Sequence, residues 1–169
     1  MSQKLQILIF PDPRLRTVAT KVVKFDKSLK KLSEDMLHTM YDANGIGLAA
    51  TQVDEHIRLV VMDLSEDRSD PMVFVNPEYN VDKDHKLVEF EEGCLSIPGF
   101  NQDIARPDSI TLKWQDIDGN KHSTKPQGML TICIQHEIDH LEGKLMVDYV
   151  SALKRDRVKK RLLKEFMRK

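Results

Sequence analysis

The run Ile132-Cys133-Ile134-Gln135-His136-Glu137-Ile138-Asp139-His140 constrains this chain more than any other stretch. Apolar residues at 130, 132, 134, 138 and 141 predict a helix that is buried or half-buried. Residues four apart share a helix face, so His136 and His140 offer two imidazole nitrogens to one metal ion. Glu137 is offset by one residue, which sets its carboxylate beside such an ion and not on it. A base in that place can deprotonate water at the metal, the mechanism behind the His-Glu-x-x-His pattern.

Two histidines leave a catalytic site one ligand short, since three protein donors and one open position are usual. The extended form of the pattern adds a third histidine after a glycine. Gly143 is present, but Met146 stands where that histidine would be. Cys133 lies one turn before His136, yet seven residues from His140, about 10.5 Å along a helix axis. Three collinear side chains with that span do not readily share one ion, so Cys133 reads as a small buried hydrophobe. The third ligand must come from elsewhere in the chain. Cys94 follows Gly93 at the end of an expected strand, and a thiolate with two imidazoles would complete a tetrahedral set with one site open. His56, His85, His122 and Glu165 compete for the role, each from a polar stretch.

With 169 residues, 40% of them hydrophobic and 31% charged, the chain suits one soluble domain. Two cysteines in unlike contexts do not form a disulfide framework, and point to a reducing compartment with cysteine as ligand. The first ten residues hold too few apolar side chains for a signal peptide or a membrane span, so a cytoplasmic protein with no membrane partner is expected. Charge is unevenly spread. Residues 151–169 carry nine basic and two acidic side chains, a surplus of +7 that leaves −8 on residues 1–150. We therefore divide the chain into a catalytic domain over 1–150 and a basic C-terminal helix over 151–169 that extends it.

Residues 5–10 suggest a short strand ended by Pro11. Asp26 or Ser28 can cap a helix to about Asp42, with Leu29, Leu32, Met36, Leu37 and Met40 at helical spacing. Asn44-Gly45-Ile46-Gly47 opens a glycine loop with no strand before it, which argues against a dinucleotide site. It fits a substrate-lining loop that presents backbone groups and the Gln52 amide. Residues 57–64, 72–76 and 86–91 read as strands. Residues 109–114 and 121–124 flank Asp118-Gly119, a hairpin signal. Strands in the middle and helices at the ends give an α+β class.

Three segments taken together resemble the peptide deformylase family: Gly45-Ile46-Gly47-Leu48-Ala49-Ala50-Thr51-Gln52, Glu92-Gly93-Cys94-Leu95-Ser96, and Gln135-His136-Glu137-Ile138-Asp139-His140-Leu141-Glu142-Gly143. They occur in the family's order, and the likeness spans nearly the whole chain. The resemblance implies antiparallel or mixed sheets around a central metal-binding helix, with further helices at the N- and C-terminal ends. It implies ferrous iron as the divalent ion, replaceable by nickel, cobalt or zinc, and removal of formyl from the formylmethionine of nascent peptides. By the same resemblance Cys94, His136 and His140 would bind the metal and Glu137 would move the proton. Gln52 and the Leu95 backbone N–H would hold the oxyanion. Gly47 would line the substrate channel, while Ile46, Ile132 and Cys133, with His136, would shape the methionine pocket. After Gly99 the chain reads Phe100-Asn101-Gln102-Asp103, where some members carry a basic residue that contacts substrate.

The residues by themselves reach a metal-dependent amide hydrolase. A general metallopeptidase, or a metal-stabilised module that binds RNA, uses the same residues in other ways. The tail should form an amphipathic helix with Val158, Leu162 and Phe166 in one stripe, and its charge points to ribosomal RNA as an anionic partner. We expect a monomer, and a Glu92–Arg106 ion pair tying the two sides of the Cys94 turn.

Overall fold

A computed structural model describes residues 1–166. Helix α1 (Lys27–Asp42) starts where Asp26 accepts a hydrogen bond from Leu29 N–H, as its N-cap role requires. Five strands form one antiparallel sheet: β1 (Gly47–Ala49), β2 (Leu59–Met62), β3 (Met72–Val81), β6 (Ile110–Gln115) and β7 (Lys121–Thr124), side by side in that order. Strands β4 (Leu87–Gly93) and β5 (Asn101–Pro107) pair only with each other, as a separate antiparallel ribbon. Helix α2 (Met129–Leu141) carries the His-Glu-x-x-His residues, and α3 (Ala152–Phe166) ends the described chain. The α+β expectation holds.

Strand β2 is buried on both faces. Its Val60 and Met62 pack with Ile134, Ile138 and Leu141 of α2. Leu59 and Val61 pack the other way, with Met36 and Met40 of α1. A strand that alternates faces in this way fixes its register, because a one-residue slip would exchange the two cores. The metal-motif helix is thereby held on one side of the sheet, across from α1.

The expected strand over 5–10 does not form. Leu8 N–H donates to the Gln52 carbonyl at 2.7 Å and Phe10 N–H to the Ser96 carbonyl at 2.8 Å. The segment is extended, but it bonds to two different parts of the chain and builds no ladder with either. Two strands have weak sequence signals. β1 is three small residues in the glycine loop, and β5 places Arg106 at a buried position where alternation would call for an apolar side chain.

Helix α3 packs on a third core. Val158 and Leu162 join Leu8, Phe10, Ile97, Phe100 and Ile104. Phe166, expected in the same stripe, is 39% exposed. Arg161 donates to the Pro98 carbonyl at 2.8 Å, so α3 also braces the turn that follows Cys94. Arg168 and Lys169, counted in the basic tail, lie outside the described residues.

Candidate metal centre and active-site cleft

Three segments converge on one point. The donor atoms of Cys94, His136 and His140 all lie within 4.8 Å of one another. Cys94 Sγ stands 3.3 Å from His140 Nε2. The two rings come from successive turns of α2, with centroids 5.1 Å apart. Cys94 comes from the turn after β4. The competing ligands are engaged elsewhere: His56 with Asp54, His85 with the Asp82 carbonyl, His122 with Asp116 and Glu165 with Arg161.

His136 Nδ1 bonds Glu92 Oε1 at 2.9 Å. That bond turns Nε2, the nitrogen 3.8 Å from Glu137 Oε1, toward the cluster, in the manner of a metal ligand oriented by a carboxylate behind it. Glu92 is fixed in turn by Arg106, whose Nε and Nη2 donate to it at 2.6 and 2.9 Å. The expected Glu92–Arg106 pair is present and extends further. Arg106 Nη1 reaches Asp139 Oδ2 at 3.0 Å, and the Tyr149 hydroxyl donates to the same oxygen at 2.7 Å. Burial raises the Glu92 pKa, but hydrogen bonds from His136 and Arg106 outweigh it and hold the carboxyl below its ordinary range. The sequence reading missed the parts played by Asp139 and Tyr149. Asp139 falls three residues after His136, which is a usable signal; Tyr149 offers none.

Burial pushes the Glu137 pKa up to about 7. A cation held by the neighbouring ligands would draw it back down. Its Oε1 stands 3.8 Å from His136 Nε2 at the cluster, while the buried Oε2 has no partner among the described residues. Burial alone would lower His136, yet hydrogen bonds to Cys94 and Glu92 set it well above the ordinary imidazole value, while burial drives His140 well below it. With a sulfur and two imidazole donors, the site fits a borderline divalent transition metal.

The cleft in front of the cluster has a volume of about 420 Å³ and is walled by Ile46, Gly47, Ile132 and Cys133, the residues expected on the substrate side, and by Leu95, whose backbone N–H was expected at the oxyanion. Burial lifts the Cys133 thiol to about 12, so it stays protonated as a wall group. The Gln52 carbonyl oxygen accepts from Ala49 N–H at 2.9 Å, which aims its amide nitrogen at Ser96 Oγ (3.0 Å) and Cys94 Sγ (3.6 Å). A donor fixed in this way, next to the three candidate metal donors, suits a developing oxyanion.

Comparison with known proteins agrees with this geometry. The polypeptide deformylase family model matches residues 4–156. A peptide deformylase of Cellvibrio japonicus is 55% identical over 161 residues, 95% of each chain. One from Pseudomonas aeruginosa is 54% identical over the same length and coverage. Among solved structures, a Legionella pneumophila peptide deformylase superposes with a TM-score of 0.90 at 45% identity, covering 98% of this chain and 96% of its own. An Ehrlichia chaffeensis peptide deformylase in complex with actinonin gives 0.91 at 39% identity, covering 98% and 99%. A family match over most of its length, with relatives identical at more than half their positions, makes this chain a member of the polypeptide deformylase family.

Proposed function

We propose that this enzyme hydrolyses the formyl amide of N-terminal formylmethionine on new polypeptides, with Cys94, His136 and His140 holding one divalent metal ion. The observation that carries the reading is the buried Glu137 carboxylate, with one oxygen 3.8 Å from His136 Nε2, beside a three-donor cluster at the floor of an open cleft. A closed structural site would use a fourth protein ligand, and the cluster among the described residues has three. When bound, the ion supplies Lewis acidity that makes water nucleophilic near neutral pH.

Glu137 takes a proton from the attacking water and returns it to the leaving amine. Gln52 Nε2 and the Leu95 backbone N–H donate to the oxygen that gains charge, each such donor contributing roughly 2.7–4 kcal/mol in comparable sites. Ile46, Ile132 and Cys133 receive the methionine side chain, and Gly47 lets the peptide backbone pass close to the wall. Ferrous iron is the resident ion by family resemblance, with nickel, cobalt and zinc as substitutes that the same donors accept. Activity on formyl-Met peptide, set against its unformylated and acetylated counterparts with metal content measured, is the test. Cleavage of the unformylated peptide would favour a general metallopeptidase.

Residues 1–150 form the catalytic unit, in the cytoplasm, and the helix that follows extends it toward the ribosome. Arg157, Lys159 and Lys164 are exposed on α3, and a polyanionic partner would hold the enzyme where substrate emerges. Replacing these three with Gln leaves the buried stripe intact. Ribosome sedimentation at low salt should then weaken while peptide activity persists; unchanged sedimentation would remove α3 as the docking element.

A further inference from the structure

A second cleft, of about 540 Å³, opens on the far part of the five-stranded sheet, where β3, β6 and β7 meet. A bulge shapes it. The β3–β6 pairing runs Val75 to Gln115 and then Glu78 to Lys113, so Asn76 and Pro77 together oppose Trp114. Asn76 sits at φ +51°, a conformation uncommon for a residue other than glycine. It is locked there, since its side chain bonds both the N–H and the carbonyl of Val22, and Gln115 as well, at 2.8–2.9 Å. Arg58 donates to the Pro77 carbonyl at 2.6 Å. A bulge held by four such bonds is a built feature, and bulges re-aim the side chains opposite them.

The cleft is lined by Lys21, Arg58, Lys113 and Lys121, against Glu78 as the carboxylate in its wall. Arg58 and His122 have acidic partners, Glu142 and Asp116. Lys21, Lys113 and Lys121 are exposed and make no ion pair among the described residues. This cationic rim stands on a body whose net charge over 1–150 is −8. Between the cations lies an aromatic pair: the Trp114 indole and the His122 ring are stacked at 5.2 Å with an 18° interplanar angle. Neither the metal cluster nor the substrate cleft uses any of these residues.

We propose that this cleft binds single-stranded RNA, with phosphates on Lys21, Arg58, Lys113 and Lys121 and an unpaired base against the Trp114–His122 pair. Cations along a groove beside an aromatic platform are the means by which proteins hold single strands without reading sequence. The four cations come from separate segments of the chain around the rim, an arrangement that suits successive phosphates.

Trp114 is the chain's single tryptophan, so its fluorescence reports this cleft alone and is blind to the basic helix α3. The full-length enzyme is titrated with a short single-stranded RNA, with AMP and polyglutamate as separate arms. The RNA should quench Trp114 saturably, and four phosphate contacts make affinity fall roughly fifty-fold between 50 and 200 mM salt. The variant K113E/K121E, checked for unchanged peptide deformylation, should bind roughly twenty-fold more weakly at 0.1 M salt. Labelled-RNA anisotropy gives total binding in parallel. RNA that binds by anisotropy but leaves Trp114 unchanged would overturn the proposal, as would equal quenching in the double variant. Quenching by AMP or polyglutamate as strong as by RNA would also overturn it, making the cleft a nucleotide pocket or a site for acidic protein. None of these outcomes touches the deformylase reading, which is read from peptide hydrolysis.

Discussion

Glu137 occupies the space that a side chain on residue 47 would need: a Cβ built on Gly47 would stand 2.9 Å from Glu137 Oε1. The atom it meets is the tip of a flexible side chain and not backbone, so the fold can yield at small cost. The catalytic cost is another matter, because displacing the proposed proton carrier by an ångström is enough for about a hundredfold loss. Gly47→Ala should therefore keep nearly the parental melting temperature and metal content while kcat/KM drops by about 10–100-fold. Parental activity in that variant would show that Glu137 tolerates the shift and is not held to a working position by the glycine loop.

Glu137→Gln is the sharper test of the base. The amide keeps the shape but cannot take the proton, so activity should fall about 10²–10⁴-fold with metal retained at one ion per chain. Metal loss in this variant would make Glu137 a ligand.

Cys94 and Cys133 separate by the same logic. Cys94→Ser should lose or greatly weaken metal binding, measured by elemental analysis after dialysis. Cys133→Ala should retain the metal, since Cys133 forms cleft wall. The reverse result would move the third ligand onto α2.

Arg106 holds Glu92 and Asp139 from a position only 3% exposed. Arg106→Met removes the partner of a buried carboxylate, a change that costs about 3–5 kcal/mol. It also leaves Glu92, the carboxylate that orients His136, without its anchor, so metal affinity should weaken about 10–100-fold. Tyr149→Phe deletes one hydrogen bond to Asp139 and should cost about 0.5–1.5 kcal/mol. Denaturant melts with parallel metal titrations measure both. Equal effects from the two substitutions would refute Arg106 as the hub.

The three tyrosines give a pH signature. Burial, then the hydrogen bond to Asp63 at 2.6 Å, pushes Tyr41 up to about 12; burial first, with Asp139 next, raises Tyr79 and Tyr149. A folded-state pKa above the unfolded value of about 10 means that these phenols stabilise the fold fully below pH ~10. That contribution is lost as pH climbs through the folded values. Phenolate absorbance of the native enzyme should lag the urea-unfolded chain throughout this window. A third of the amplitude appearing at or below pH ~10 in the folded state would contradict the assignment.

How much of this was legible in the sequence depends on whether the signal was local. The α2 ligands follow from helical period alone, and the Asp26 cap and Asp118-Gly119 turn from local backbone chemistry. β5 was hidden because its inward position carries Arg106, whose burial makes sense only once Glu92 and Asp139 are seen beside it. The cleft at Trp114 was hidden for a similar reason. It depends on a bulge whose two extra bonds reach back to Val22, 54 residues away. The tail reads as an amphipathic helix with Val158 and Leu162 in its stripe, and both are core, but no charge count reveals what that stripe lies against.

The extended segment before Pro11 has one further consequence. Its Leu8 amide is bonded to Gln52, the proposed oxyanion donor, and its Phe10 amide to the turn behind Cys94, the proposed sulfur ligand. Neither bond belongs to a ladder, so neither proton is protected by neighbours on a strand. In hydrogen–deuterium exchange these two amides become local reporters. Each exchanges when its bond to the Gln52 or Ser96 carbonyl breaks, so their rates follow the detachment of this segment from the two site-bearing stretches without any substrate present.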